Sequence, residues 1–279
     1  MDKHIRKIFS VFCLVMLGIL IWRVRGGIWT PVNWAMFAIP CVCCLLVFRN
    51  FVYIFNFSYS LCVLLNSLLL MVVMPSPVVV MMAGVSMLYG LRLFIFTWNR
   101  TRSASYADKA KAIQSASDYM PVGIKVALWI QCSLLHTFHA MALYFVAGKA
   151  VITPMVLAGV AIMLAGVVIE GVADHQKQQS KAVSPGAFIA TGLWARWRHP
   201  NFMGEILFHA GIIVAGIAAS SSWNDMLVVS IAPLYIVLLM ISEAQKYDAM
   251  HAEKYGESET YGAEYQKYRA NSGSLVPRW

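Results

Sequence analysis

Charge is what this sequence lacks most. Only 13% of its 279 residues are Asp, Glu, Lys or Arg, where a soluble domain carries roughly a quarter. Acid is scarcer than base, 13 residues against 22, which leaves a net charge of +9. A cysteine framework is missing too. The six cysteines, Cys13, Cys41, Cys43, Cys44, Cys62 and Cys132, all lie in apolar runs. No nearby histidine supplies zinc spacing. They read as small hydrophobes, buried or facing lipid, and no metal site is expected. The familiar nucleotide and hydrolase signatures are also lacking: there is no GxGxxG turn, Walker loop, GxSxG elbow or HExxH helix. A nucleotide site in this chain would have to be assembled from helix ends and loops.

What remains is apolar, 59% of the residues. Eight apolar segments run near 8–22, 34–48, 58–74, 78–98, 123–147, 153–173, 203–219 and 225–243. Most are long enough to cross about 30 Å of hydrocarbon as helix. Lipid leaves no partner for an open backbone, so spans are helices or closed barrels, and these runs do not alternate as barrel strands do. The expected fold is all-α, a polytopic bundle of seven to eight spans forming one integral membrane domain, with 77–279 as its functional part. Pro75-Ser76-Pro77 reads as a tight turn, and Asn224 or Asp225 as the cap of the last span. The first run follows Lys3, Arg6 and Lys7 without a small-residue cleavage site, so it reads as a retained anchor.

Eight spans put both termini on one side, together with most Lys and Arg residues. Arg23, Arg25 and Lys149 fall on the other side, and Arg92 falls inside a span. The positive-inside rule makes the richer side cytoplasmic and accounts for the net charge without nucleic acid. Three polar segments, 99–122, 174–202 and 244–279, then share one face as a cap of loops and a C-terminal helix.

Side chains able to do chemistry concentrate in those segments. In Arg196-Trp-Arg198-His199-Pro200-Asn201-Phe-Met-Gly-Glu205, Pro200 can open a helix with Asn201 and Glu205 on one face. Arg198 and His199 precede that helix, where backbone N–H groups attract anions. The stretch reads as a phosphate grip or as a basic loop on anionic lipid headgroups. Glu170 and Asp174 share a face at the end of the sixth span, against the helix dipole, and pair with Arg92 or Arg198 or serve a ligand. Tyr89, Arg92, Phe96, Asn99 and Arg100 form one helical stripe, with Arg102 just beyond. Arg92 requires a partner or a water-filled cavity, or must snorkel, and Tyr89 lies a turn deeper, able to donate to a carbonyl. In the tail, Tyr247, His251 and Tyr255 step by four. His136, His139 and His209 read as inter-helix hydrogen-bonding groups.

The stretch GLWARWRHPNFMGEI, preceded by EGVADHQK and followed by a KYG…EYQKYR…LVPRW tail, resembles the steroid 5α-reductases and their bacterial relatives. The similarity runs from about Tyr89 to the C-terminus. It implies a helix bundle of the bacterial inner membrane that binds NADPH from the cytoplasm and reduces a carbon–carbon double bond conjugated to a carbonyl. It implies that Tyr89 is the catalytic tyrosine, ahead of Asn99-Arg100, and that Asp174, Asn201, Glu205, His251 and Tyr255 hold the cofactor. Arg92, Asn99, Arg100, Arg102, Glu170, Lys181, Arg198 and His199 complete the expected cofactor set, and a hydrophobic substrate would arrive from the bilayer lipids. The adjacent Gln-Glu pair that the steroid enzymes carry in an earlier helix has no counterpart around Asn56-Phe57-Ser58-Tyr59, and Tyr247 stands where they have an arginine. The RHPN wording is shared with sterol Δ14-reductases and with isoprenylcysteine and phospholipid methyltransferases. The alternative is therefore an S-adenosylmethionine-dependent methyltransferase acting on a lipid-borne acceptor, and a third is a lipid binder without catalysis.

Overall fold

The computed structural model describes residues 3–103 and 106–278. Trp279, the last residue of the tail motif, and the side chains of Lys3, Arg6 and Lys7 lie outside the described residues. Every expected apolar run is helical. The α-helices are α1 (Lys3–Arg25), α2 (Pro31–Cys43), α3 (Tyr59–Val73), α4 (Pro77–Arg102), α5 (Ala107–Asp118), α6 (Val122–His139), α7 (Met141–Lys149), α8 (Pro154–Val183), α9 (Pro200–Ala219), α10 (Trp223–Gly256) and α11 (Gly262–Asn271). A 3-10 turn, Cys44–Phe48, extends α2, and a π-helical turn, Ile54–Ser58, leads into α3. Among the described residues, seven stretches, from Pro31–Phe48 to Trp223–Gly256, are long and apolar enough to cross a membrane, and α1 covers the first apolar run. No strand occurs among the described residues, and the protein is an all-α polytopic membrane bundle.

Local chemistry explains the helix ends. Ser76 caps α4, its Oγ accepting from Val79 N, with Pro77 as the first helical residue. Pro200 likewise opens α9, where its missing N–H costs nothing. The cap of α10 differs from expectation. Ser222 Oγ accepts from Asp225 N at 3.2 Å, and Asp225 Oδ2 accepts from Ser221 N at 3.3 Å. Ser222 caps the helix, and Asp225 reaches back as the third helical residue, in the manner of a capping box.

The chain forms two compact units. One comprises 1–163 and 210–235, the other 164–209 and 236–279. In the first, α3 packs closely on α4: a Cβ on Gly90 would lie 2.9 Å from the Ser60 carbonyl oxygen. Trp129 Nε1 donates to the Cys41 carbonyl at 2.7 Å, and α5 is tied down by Asn50 Nδ2 to Gln114 Oε1, 2.8 Å. In the second unit, Gly166 and Gly204 let α8 and α9 touch. A Cβ on Gly166 would meet Gly204 O and Phe208 N at 2.5 Å, and one on Gly204 would meet Glu170 Cβ at 2.6 Å. Small residues allow such backbone contact between helices in lipid.

Candidate functional site

In the first unit the site begins with Tyr89. Its phenol is fully buried on α4. Tyr59, the first residue of α3, brings its hydroxyl to 3.3 Å from the Tyr89 hydroxyl and donates to it. Gly90 makes this approach possible by admitting the Ser60 backbone beside Tyr89. The Arg92 guanidinium lies 5.5 Å from the centre of the Tyr89 ring, a cation–π distance. Tyr59 also stacks on His136 at 5.2 Å and 15°, and meets His139 edge-on at 5.8 Å. Beside this group is a cavity of about 20 Å³ lined by Cys62, Ser67, Ser86, His136 and His139, room for a water molecule.

The rest of the α4 stripe runs outward. Asn99 and Arg102 are exposed and Arg100 half-buried. Arg100 sits over Phe96 and Tyr106, and Arg102 over Trp98 at 3.8 Å. His136 has the Ile54 carbonyl, on another helix, beside its ring, though neither ring nitrogen makes a well-aligned hydrogen bond. His209 bonds through Nδ1 to the Glu205 carbonyl of its own helix, 2.7 Å.

The second unit assembles the polar motifs. Residues 196–199 run beside the tail. Arg198 N donates to Gly273 O at 2.8 Å, His199 N to Ser274 O at 3.1 Å, and Gly273 N to Arg196 O at 3.1 Å. The loop before them is locked onto α8: Trp194 Nε1 donates to Ala173 O, and Leu193 N to Gln176 Oε1. Gly192, with φ of +60°, makes that turn against the Gln176 side chain, a conformation natural to glycine. Tyr268 closes the loop from α11 by donating to Trp194 O at 2.8 Å. Burial pushes the Tyr268 phenol up, so it stays a donor.

Arg198 and His199 meet on Asp248. Arg198 Nε reaches Asp248 Oδ1 at 2.8 Å and Nη2 reaches Oδ2 at 3.1 Å, while His199 Nε2 sits 2.9 Å from Oδ1. Arg198 Nη1 also donates to the Ser272 carbonyl. His199 is buried, and that burial pulls its pKa below the ordinary value, against the opposing pull of Asp248. Its ring stacks on Phe202 and, at 6.3 Å, on His251, which packs in turn on Tyr247 and Tyr255. Lys181 donates to the carbonyls of Pro185 and Ala187 and to Tyr255 Oη. Glu170 and Asp174 are both buried on α8, at 5% exposure each, and Asn201 and Glu205 are half-buried on the first turns of α9.

Two residues here escaped the sequence. Asp248 stands three before His251 in a polar tail that gives it no distinction. Tyr59 stands where the Gln-Glu pair was sought, and only the packing of α3 on α4 shows what it touches.

No curated protein and no solved structure matches the chain. The family described as protein of unknown function (DUF1295) matches residues 50–269, which takes in Tyr59, Tyr89 and every candidate cofactor residue. The chain therefore belongs to the DUF1295 family, a steroid 5α-reductase-like membrane family.

Proposed function

We propose that the protein is an NADPH-dependent membrane reductase that saturates a carbon–carbon double bond conjugated to a carbonyl in a hydrophobic substrate. The observation that carries this reading is Tyr89. A phenol with no exposure, inside an apolar span, keeps a hydroxyl against Tyr59 and a guanidinium against its ring. Such a group suits donation to a carbonyl oxygen as negative charge develops on it. Tyr59, donating to the same hydroxyl, aligns it.

The side chains of the second unit fit the cofactor in kind. Glu170 and Asp174 are buried acceptors suited to ribose hydroxyls and a carboxamide, with Asn201 and Glu205 beside them in sequence role. Lys177, Lys181 and Arg196 supply cations for phosphates, and the resemblance adds Arg100 and Arg102. Arg198 is held by Asp248, so its part is to fix the loop. When bound, the reduced nicotinamide supplies a hydride to the β-carbon and becomes NADP+, while a solvent-derived proton completes the α-carbon. Tyr89 holds the enolate oxygen meanwhile. The cofactor would be taken from the cytoplasm, with both chain termini on that side of a bacterial inner membrane and the substrate drawn from the bilayer.

The test uses detergent-purified full-length protein. NADPH and S-adenosylmethionine are titrated separately, and NADPH consumption is followed with conjugated enone lipids. The reading expects NADPH binding and enone-dependent consumption, with Tyr89→Phe about 100-fold slower and cofactor affinity unchanged. Binding of S-adenosylmethionine alone, with methyl transfer to a lipid acceptor, would overturn it in favour of the methyltransferase reading that the shared RHPN motif allows.

A further inference from the structure

Cys44, Cys62 and His136 come from three separate elements: the 3-10 turn after α2, helix α3 and helix α6. All three are buried, and their Sγ, Sγ and ring-nitrogen atoms lie within 4.8 Å of one another. Read along the chain these residues are inert hydrophobes; folding turns them into a ligand set. We infer that they form a zinc site inside the first unit.

Four features support it. First, the spacing is close to what the ion needs. Bonds of about 2.3 Å to sulfur and 2.0–2.1 Å to nitrogen place tetrahedral ligand atoms roughly 3.5–3.8 Å apart, so small χ1 rotations close the site. Second, His136 is prepared as a ligand. Neither ring nitrogen has a well-aligned hydrogen bond, and the Ile54 carbonyl lies beside the ring. A zinc-bound histidine characteristically donates its other N–H to such a carbonyl. Tyr59, stacked on the ring at 5.2 Å, fixes its plane. Third, there is space and a fourth ligand. Cys62 and His136 both line the cavity of about 20 Å³, and the thiols of Cys43 and Cys44 both reach the Cys62 thiol. A water in that cavity completes four-coordination without changing the charge. Fourth, the charge balances. Two thiolates and a neutral imidazole around Zn2+ sum to zero, which matters where net charge is costly to bury. Cu+ in the same set would leave a net negative charge.

Zinc here ties the start of α3 to α6 and to the end of α2. It acts as a clamp behind Tyr59, and through Tyr59 behind Tyr89. The assignment does not depend on the reductase reading, because metal content is measured without turnover.

Full-length protein, expressed with zinc and purified in detergent under reducing, chelator-free conditions, is analysed for metals by mass spectrometry. About one zinc per chain is expected, falling to background in Cys62→Ser and in His136→Ala, and retained in Cys13→Ser. Cobalt substitution of the wild type, which needs no variant to fold, should give thiolate-to-metal charge-transfer absorption. Wild-type protein that carries no zinc while all six thiols titrate as free would overturn the site. So would copper in place of zinc, or a disulfide joining Cys44 and Cys62.

Discussion

Asp248 accepts from Arg198 through both carboxylate oxygens, at 2.8 and 3.1 Å, and shares Oδ1 with His199 at 2.9 Å. A residue of α10 thereby holds the loop that precedes α9. Charge-assisted bidentate contacts are among the stronger hydrogen bonds in proteins. Both side chains are largely covered, with 14% and 17% exposure.

Removing that carboxylate strands a guanidinium and an imidazole. Asp248→Ala is expected to cost about 2–3 kcal/mol, read as a lower unfolding midpoint in detergent. Asp248→Asn keeps one acceptor and should cost less. Arg198→Lys should not behave as wild type, because an ammonium cannot make the two-point contact and also reach the Ser272 carbonyl.

His199 makes this junction sensitive to acid. Burial holds its folded pKa below the unfolded value, which is about 6.5. The unfolded chain therefore binds more protons, and stability rises with pH through this window. Its contribution is complete above about pH 6.5 and is lost as pH falls through the folded value. Unfolding midpoints between pH 5 and 8 should show this slope, and His199→Asn should flatten it. An equal slope in the variant would remove His199 as the source.

Helix contact in the second unit depends on two hydrogen atoms. Gly166→Ala and Gly204→Ala each put a methyl within 2.5–2.6 Å of fixed backbone or of the Glu170 stem. Each is expected to cost about 1–3 kcal/mol. Gly84→Ala, which meets open space on α4, should leave the midpoint nearly unchanged.

Tyr59→Phe separates alignment from catalysis. It removes the hydrogen bond to Tyr89 but leaves the Tyr89 hydroxyl. A neutral hydrogen bond is worth about 1 kcal/mol, so the proposed enone reduction should fall roughly fivefold, well short of the Tyr89→Phe loss. Equal losses in the two variants would assign the donor role to the pair rather than to Tyr89.

The bundle was largely visible in the sequence because hydrocarbon imposes a length and forbids open backbone. All eight apolar runs became helix, Pro200 opened the helix expected of it, and Pro75-Ser76 lies in the short turn between α3 and α4. The RHPN stretch and the LVPRW tail were legible as motifs, but the bond from Arg198 to Gly273, just before that tail, was not. Such contacts join residues more than seventy positions apart and leave no periodicity. Asp248, 50 positions from Arg198, leaves no periodicity either, and the meeting of Cys44, Cys62 and His136 depends on how α2, α3 and α6 pack. The Ser222 cap was missed for a smaller reason: two polar residues follow it, and only geometry decides which side chain turns back.

Helix α10 covers 34 residues, with Pro233 inside it, well beyond the roughly 20 that a bilayer crossing requires. Asp248, His251 and Tyr255 all lie in its last turns. Every residue along such a rod sets the angle of those beyond it. Deleting Ala249 would swing His251 and Tyr255 by about 100° around the axis relative to Asp248 and take them from His199 and Lys181. Conservative substitutions along this helix should be tolerated far more readily than any change in its length.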